Sequence, residues 1–187
     1  MTTSDPRPSI VGPDTGPEPP FPYRMEGKVI SGFGRGSKEL GIPTANLPVD
    51  ESDSSSSWIT DIPSGVYFGW ASLALPADHP DYKATASSYQ IYPMVMSIGY
   101  NPFYKNKVRS AEVHILDKFQ ADFYGSQMRL LIMGFIRQEK DYEGLEALVA
   151  DINFDCEVAK NSLFGRERWF PSEVKQGGEM DCGWLFR

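Results

Sequence analysis

The segment Arg109-Ser-Ala-Glu-Val-His-Ile-Leu116 alternates apolar and polar side chains along its length. The alternation separates two faces, with Ala111, Val113 and Ile115 on one and Ser110, Glu112 and His114 on the other. This two-residue period predicts a β-strand with one face toward a core. Glu112 then lies on the polar face of a rigid element, either as a solvated glutamate or as a carboxylate placed to accept a proton.

Similar patterns occur at several other places in the chain. These segments are short, rich in β-branched or aromatic residues, and bounded by Gly, Pro or Asn, which is typical of strands. They cover Glu26–Ser31, Gly65–Leu75, Tyr89–Ile98, Val108–Leu116 and Gln127–Arg137. Strands at this spacing predict a barrel or a sandwich. Apolar residues at helical spacing over Tyr142–Phe164 predict one helix, which we expect to close one face of the barrel.

The length of 187 residues fits one compact domain and leaves no room for a second catalytic domain. Residues 1–22 are rich in proline and small polar residues, so we expect a disordered tail. We expect the domain itself over residues 23–164. The extension 165–187 carries several aromatic residues, and this density predicts that it packs back on the barrel.

The composition excludes several functional classes. A net charge of −7 and a pI near 4.9 argue against a nucleic-acid-binding surface. Cys156 and Cys182 stand far apart without a Cys-x-x-Cys pattern, which indicates free thiols rather than structural zinc. No apolar run approaches the ~20 residues that span a bilayer. We therefore expect no membrane insertion and a cytoplasmic location, with a mitochondrial or membrane-associated pool left open.

The run Gly32-Phe-Gly-Arg-Gly-Ser-Lys-Glu-Leu-Gly-Ile-Pro-Thr-Ala-Asn46 combines glycines, two cations and two neutral oxygen ligands. Glycines let backbone amides approach an anion, and the cations supply compensating charge. Thr44 and Asn46 offer hard oxygens suited to Mg²⁺. The order of residues fits neither a Walker A loop nor the dinucleotide-binding fingerprint. On glycine content alone, the run is equally typical of a mobile surface loop between two strands.

Together these blocks resemble the eukaryotic riboflavin kinases, monomeric enzymes that make FMN from riboflavin and ATP. The Gly-rich run with its Pro-Thr-Ala-Asn46 motif is similar to the nucleotide loop of that family. Further similar blocks follow in the same order, at Gly65–Ala71, Ser97–Asn106, Glu112–Ile115, Asp122–Gly125 and Arg137–Lys140. The resemblance covers about residues 23–164. It implies a mainly β fold, a six-stranded antiparallel Greek-key β-barrel with a C-terminal α-helix packed on it.

The resemblance also implies roles for individual residues. Glu112 falls at the position of the family's general base, and Thr44 and Asn46 fall at the positions that contact Mg²⁺ and nucleotide. The residues that it places at the nucleotide are Gly32, Gly34, Arg35, Gly36, Ser37, Lys38, Thr44, Asn46, Ile115, Asp117 and Tyr124. Those that it places at the flavin are Arg137, Lys140 and Tyr142.

The expected reaction is therefore transfer of the ATP γ-phosphate to the ribityl 5′-hydroxyl of riboflavin, giving FMN and ADP. Neutral oxygen ligands favour Mg²⁺, with Zn²⁺ and Mn²⁺ as alternatives. A non-catalytic flavin- or nucleotide-binding barrel stays open as a second function, because a fold does not guarantee activity. Glu112, Thr44 and Asn46 distinguish the two hypotheses, and their presence favours the enzyme.

Overall fold

A computed structural model of the chain describes residues 7–31, 41–42, 44–49, 57–85, 87–100, 108–170 and 182–186. Within these ranges, six strands and one long helix form the domain. The strands are β1 (Tyr23–Lys28), β2 (Ala45–Leu47), β3 (Gly65–Ala74), β4 (Gln90–Tyr100), β5 (Arg109–Ile115) and β6 (Gln127–Gln138). The helix is α1 (Leu145–Leu163). Short 3-10 turns occur at Ser57–Thr60, Glu167–Trp169 and Cys182–Leu185.

The strands form one antiparallel sheet in the order β1-β6-β3-β4-β5-β2. Because β3, β4 and β5 follow one another and β6 returns beside β3, these four strands make a Greek key. The sheet curls into a half-barrel whose edges meet just beyond β1. There Ile30 N donates to Asn46 O at 2.8 Å, and Asn46 N donates to Ile30 O at 3.2 Å. The predicted mainly β Greek-key fold is confirmed.

The curled sheet has an apolar core on each side. Alternate residues of the strands, such as Tyr67, Met96 and Val113, fill the concave interior. The residues between them on the central strands, such as Phe68 and Leu131, pack against α1 and the C-terminal segment. Strand β3 is therefore buried on both faces, which explains why its sequence is continuously apolar rather than alternating.

Helix α1 lies where its period predicts, although it is shorter at both ends than Tyr142–Phe164. It begins after Gly144, and Gly165, with φ of 70°, follows its last turn in the left-handed conformation that ends many helices. Ala159 and Leu163 face the sheet and are fully buried. Among the described residues, no helix is long and apolar enough to cross a membrane.

Both terminal segments are docked on the convex side of the sheet where the structure describes them. Trp169 is buried and stacks on Phe68 with ring centroids 5.8 Å apart. Its indole Nε1 donates to Pro13 O at 2.8 Å, and the Trp70 indole donates to Trp169 O at 2.8 Å. Residues 7–22 thus differ from the disordered tail that their composition predicts, because they find tertiary partners. Residues 1–6 lie outside the described ranges.

Candidate active site

Three neighbouring strands bring Glu112 together with polar side chains on the outer face of the barrel. In the register of the sheet, Glu112 on β5 is paired with Asn46 on β2 and with Ser97 on β4. Directly paired residues of an antiparallel sheet point to the same face. Ala111 and Val113 are buried in the interior while Glu112 is exposed, so the alternation predicted for this strand is correct.

Asn46 occupies the stem of the Gly-rich loop. Its backbone bridges Ile30, so the two chain segments that flank the loop meet beside Glu112. Asn46 is only 6% exposed, and within the described ranges its Oδ1 has no hydrogen-bond partner. A buried amide oxygen without a partner is costly unless a ligand satisfies it. Thr44, two residues earlier, is partly buried and adds a second neutral oxygen.

This donor set fits a hard divalent cation better than a soft one. Amide, hydroxyl and carboxylate oxygens are the ligands that Mg²⁺ prefers, usually together with water and substrate phosphates. Among the described ranges, no group of three or more His, Cys, Asp or Glu side chains could hold a metal ion. A metal bound by Asn46 and Thr44 would therefore need further ligands from solvent or from a nucleotide, which is typical of Mg²⁺ in phosphoryl-transfer sites.

The carboxylate of Glu112 is shifted toward its protonated form. Glu112 keeps contact with solvent, yet the surrounding barrel wall removes part of its hydration. This desolvation, followed by the negative charge of Glu139, raises the pKa of Glu112 above its usual range. Glu139 is held in place by Ser97, whose Oγ donates to Glu139 Oε1 at 3.2 Å. Shifts of this kind are common in groups that accept protons during catalysis.

The residues expected at the nucleotide differ in their position relative to Glu112 and the Gly-rich loop. Gly125 N donates to Val29 O at 2.8 Å, so the exposed Tyr124 lies next to the strand that leads into the Gly-rich loop. Asp117 is exposed and accepts a hydrogen bond from Lys118 N at 2.8 Å. The side chain of Ile115 points into the barrel interior, opposite the face of Glu112.

The loop that carries the other expected nucleotide contacts cannot be placed in this way. Residues 32–40, which include Gly32, Gly34, Arg35, Gly36, Ser37 and Lys38, lie outside the described residues. Only the anchoring of the loop is visible, through the Ile30–Asn46 bridge.

The three residues expected at the flavin are brought together near the start of α1. Arg137 Nε donates to both carboxylate oxygens of Asp155 at 3.0 Å, and its terminal nitrogen donates to Oδ2 at 2.8 Å. The Tyr142 hydroxyl donates to Asp151 Oδ2 at 2.8 Å, and Lys140 forms an ion pair with the same oxygen. These ion pairs connect strand β6 and the segment after it to the helix.

Burial and the ion pairs shift the pKa values of three groups in this cluster, Arg137, Tyr142 and Asp151. Burial would lower the pKa of Arg137, but the hydrogen bond and charge of Asp155 outweigh it and leave that pKa above its usual value. Burial and the Asp151 carboxylate raise the pKa of Tyr142 to about 12, so its hydroxyl stays protonated. Burial also opposes ionisation of Asp151, but hydrogen bonds from Lys140 and Tyr142 lower its pKa overall.

The two groups of residues share one row of the sheet. Glu112 pairs with Ser97, Ser97 with Val66, and Val66 with Arg137. With neighbouring strands about 4.8 Å apart, Glu112 and Arg137 are separated by roughly 14 Å along the same outer face. A molecule extended across the row could touch both.

Sequence reasoning missed several residues of this region. Ser97 lies in a strand segment and in a block of the resemblance, but nothing local marks it as the partner of Glu139. Asp151 and Asp155 are spaced by four residues on the predicted helix, which places both on one face. That spacing could have identified them. No local signal could have identified Arg7, which joins both aspartates from the far end of the chain.

Comparison with known proteins identifies the family of the chain and supports its fold. The sequence model of the Flavokinase family, described as riboflavin kinase, matches residues 19–163. A curated riboflavin kinase of Pyricularia oryzae is 64% identical, covering 97% of this chain and 94% of its own length. Another, of Chaetomium globosum, is 57% identical, covering 97% of this chain and 93% of its own length. The crystal structure of riboflavin kinase from Trypanosoma brucei superposes with a TM-score of 0.62 at 23% identity, covering 87% of this chain and 95% of that one, and supports the fold.

The fold and the family match together identify a small β-barrel phosphotransferase. The family match and the identities over nearly the whole chain show that the chain belongs to the riboflavin kinase family.

Proposed function

We propose that the chain transfers the γ-phosphate of ATP to the ribityl 5′-hydroxyl of riboflavin with Glu112 as general base, giving FMN and ADP. Family membership supports the reaction, and the sheet register supports the assignment of the base. The observation that carries it is the position of Glu112 between Asn46 and Ser97, beside a buried amide oxygen that lacks a partner in the described part of the chain.

Glu112 would orient the ribityl hydroxyl and accept its proton as the oxygen attacks phosphorus. Strands β2 and β4 pair with β5 on either side and hold the backbone of Glu112, so its carboxylate needs little reorganisation during the reaction. Its raised pKa increases its affinity for that proton. Phosphoryl transfer otherwise depends on alignment and on neutralising charge, so no covalent enzyme intermediate is required.

Thr44 and Asn46 are proposed to hold Mg²⁺, with Zn²⁺ and Mn²⁺ as the alternatives for the same oxygens. When bound, the cation would neutralise negative charge on the phosphate oxygens. Asn46 would bind it through Oδ1, the atom without a protein partner. The assignment of Thr44 rests on the resemblance.

The substrates are proposed to lie at opposite ends of the outer-face row. ATP would occupy the end with the stem of the Gly-rich loop, where Tyr124 lies nearby. The flavin ring would reach toward Arg137, Lys140 and Tyr142. The roughly 14 Å between the ends of the row suits a molecule whose ring and reacting hydroxyl are joined by an extended ribityl chain.

One chain supplies all of these residues, so a monomer suffices for the reaction. We propose residues 23–164 as the kinase domain, with residues 165–187 as an extension that packs on its convex side. A cytoplasmic location stays a prediction from the sequence.

The proposal is tested by chromatographic detection of FMN after incubating the protein with riboflavin, ATP and Mg²⁺. We expect FMN from the intact protein with metal, and none from a chelated sample. A parallel titration follows quenching of riboflavin fluorescence by the protein. Flavin binding without FMN formation would favour the non-catalytic binding barrel, and neither binding nor turnover would contradict both functions.

A further inference from the structure

The first described residues of the chain lie across α1 as a clasp, here defined as residues 7–14. At its first residue, the Arg7 guanidinium donates to Asp155 Oδ1 at 2.8 Å and to Asp151 Oδ1 at 3.0 Å. The Arg7 cation also lies 4.6 Å from the centre of the Phe154 ring. The clasp therefore reaches both aspartates that hold the residues expected at the flavin.

The opposite end of the clasp is fastened independently. Arg166 donates to Asp14 Oδ1 at 3.0 Å and to the carbonyl oxygens of Val11 at 2.9 Å and Gly12 at 2.6 Å. Val11 N donates to Ser162 Oγ at 2.9 Å. These contacts attach the backbone of the clasp at the C-terminal end of α1 without Arg7. Attachment of the clasp therefore does not require the Arg7 side chain.

Arg7 changes the charge balance next to the flavin side. Arg7, Arg137 and Lys140 together face Asp151 and Asp155, so three positive charges meet two negative ones. Without Arg7, two positive charges would face two negative ones. Both aspartates would then form ion pairs only with Arg137 and Lys140. Asp155 is 1% exposed, so solvent could not replace the lost partner.

We propose that Arg7 is a positioning residue for flavin binding, acting through Asp151 and Asp155 on Arg137 and Lys140. By taking part of the negative charge, it leaves these two cations able to donate to the carbonyl and ring-nitrogen acceptors of an isoalloxazine. This inference rests on the proposed function, in which Arg137 and Lys140 contact the flavin. The family match begins only at residue 19, so the family pattern contains no information about Arg7.

The test compares Arg7→Gln with Asp14→Asn, which removes the ion pair at the other end of the same clasp. Asp14 is 97% exposed, so its loss should have little effect. For Arg7→Gln we expect the riboflavin Kd, measured by fluorescence quenching, and the riboflavin KM to rise about fivefold, as for ~1 kcal/mol. The KM for ATP should stay at its wild-type value, and Arg7→Lys should restore part of the affinity for riboflavin. Because Asp155 keeps Arg137 as a partner, the melting temperature should fall less in Arg7→Gln than in Asp155→Asn.

A second substitution that removes one carboxylate tests whether the charge of Arg7 is what matters. In Arg7→Gln/Asp151→Asn, the two remaining cations face only the carboxylate of Asp155, so positive charge is again in excess. Riboflavin binding should therefore recover relative to Arg7→Gln alone. An unchanged riboflavin Kd in Arg7→Gln would overturn the proposal. Equal increases in both KM values with a lower melting temperature would show a merely structural role and overturn it too. Failure of the proposed function would instead appear as wild-type protein that forms no FMN.

Discussion

Glu112 and Arg137 occupy the same row of the sheet, but their surroundings differ in how many polar groups have partners. Around Glu112, the Oδ1 of the buried Asn46 makes no hydrogen bond to the part of the chain that the structure describes, and Glu139 places a second negative charge nearby. Around Arg137, Asp155 accepts hydrogen bonds from two guanidinium groups. Within the described ranges, a buried polar group at the Glu112 end of the row therefore lacks a hydrogen-bond partner, whereas the polar groups at the Arg137 end have theirs.

The difference indicates two ways of preparing a site for ligands. Unsatisfied or crowded groups cost stability in the free protein and recover it when a metal ion or substrate arrives. A satisfied network costs little in the free protein and holds its donors in one geometry before the ligand binds. The first arrangement suits the reacting end, and the second suits recognition of a rigid ring.

The largest expected effect is a loss of turnover on substitution of Glu112, at the end of the row where a polar group lacks a partner among the described residues. Glu112→Gln removes the proposed base while keeping its shape, so we expect kcat to fall about 10²-fold or more with little change in either KM. Steady-state kinetics of FMN formation measure this. Glu157→Gln, the same change at an exposed position on α1, is the matched control and should retain activity. A Glu112→Gln enzyme with most of its turnover would remove Glu112 from the mechanism.

The same substitution should not weaken the fold. Because the folded-state pKa of Glu112 is raised above its unfolded value, its stability contribution is intact below the unfolded pKa and is lost as the pH rises through the folded pKa. Above the folded-state pKa, the ionised Glu112 therefore destabilises the fold. Glu112→Gln should unfold at a higher urea concentration than wild type at pH 7, with the difference disappearing in acid.

At the satisfied end, a change from carboxylate to amide should have the opposite effect on stability. Asp155→Asn would leave the Arg137 guanidinium without its charged partner, and Arg7 with Asp151 alone, at a side chain that is 1% exposed. We expect a loss of about 3 kcal/mol in the free energy of unfolding, as for other broken buried ion pairs. Urea denaturation at pH 7 measures it. Equal stabilities for Asp155→Asn and wild type would contradict the comparison between the two ends.

A smaller effect is expected at the amide oxygen without a partner. Asn46→Ala removes Oδ1, so the Mg²⁺ concentration needed for half-maximal activity should rise about tenfold. The free protein should lose little hydrogen bonding at that atom, since Oδ1 has no partner to lose among the described residues. Titration of activity with Mg²⁺ at saturating ATP measures the shift. An unchanged requirement would assign the metal to other ligands.

Local patterns predicted the elements better than their partners. The alternation over Val108–Leu116 identified β5 and the face of Glu112, and helical spacing identified α1. Strand β2 was not predicted because three residues, Ala45–Leu47, are too short for a period to show. Its position is determined by pairing with β5 and Ile30, which are distant in sequence.

The candidate site was predictable to the same extent. Strand alternation and the family resemblance pointed to Glu112, and the Gly-rich run with the same resemblance pointed to Asn46. The register of the sheet brings the two residues side by side. The ion pairs of Arg137 could not be read locally, because they join a strand to a helix and to Arg7. Proline content predicted disorder for the segment that holds Arg7, but proline also favours extended chain, and tertiary contacts dock it on α1.

The smallest expected effect concerns the pH dependence of the base. Glu139→Gln removes the negative charge near Glu112, so the pKa of Glu112 should fall toward its usual value. The base must be ionised to act, so the acid limb of the profile of kcat/KM against pH should move to lower pH. The limb should not reach the position of a fully hydrated glutamate, because desolvation, the larger cause of the shift, remains.

Two variants separate charge from structure in this measurement. Ser97→Ala removes the hydrogen bond to Glu139 but keeps its charge, and Glu143→Gln removes a carboxylate from an exposed position outside the row. Both should leave the acid limb near its wild-type position. If Glu139→Gln does not move the limb, or moves it to higher pH, the charge of Glu139 does not act on the base. Desolvation alone would then account for the crowded end of the site.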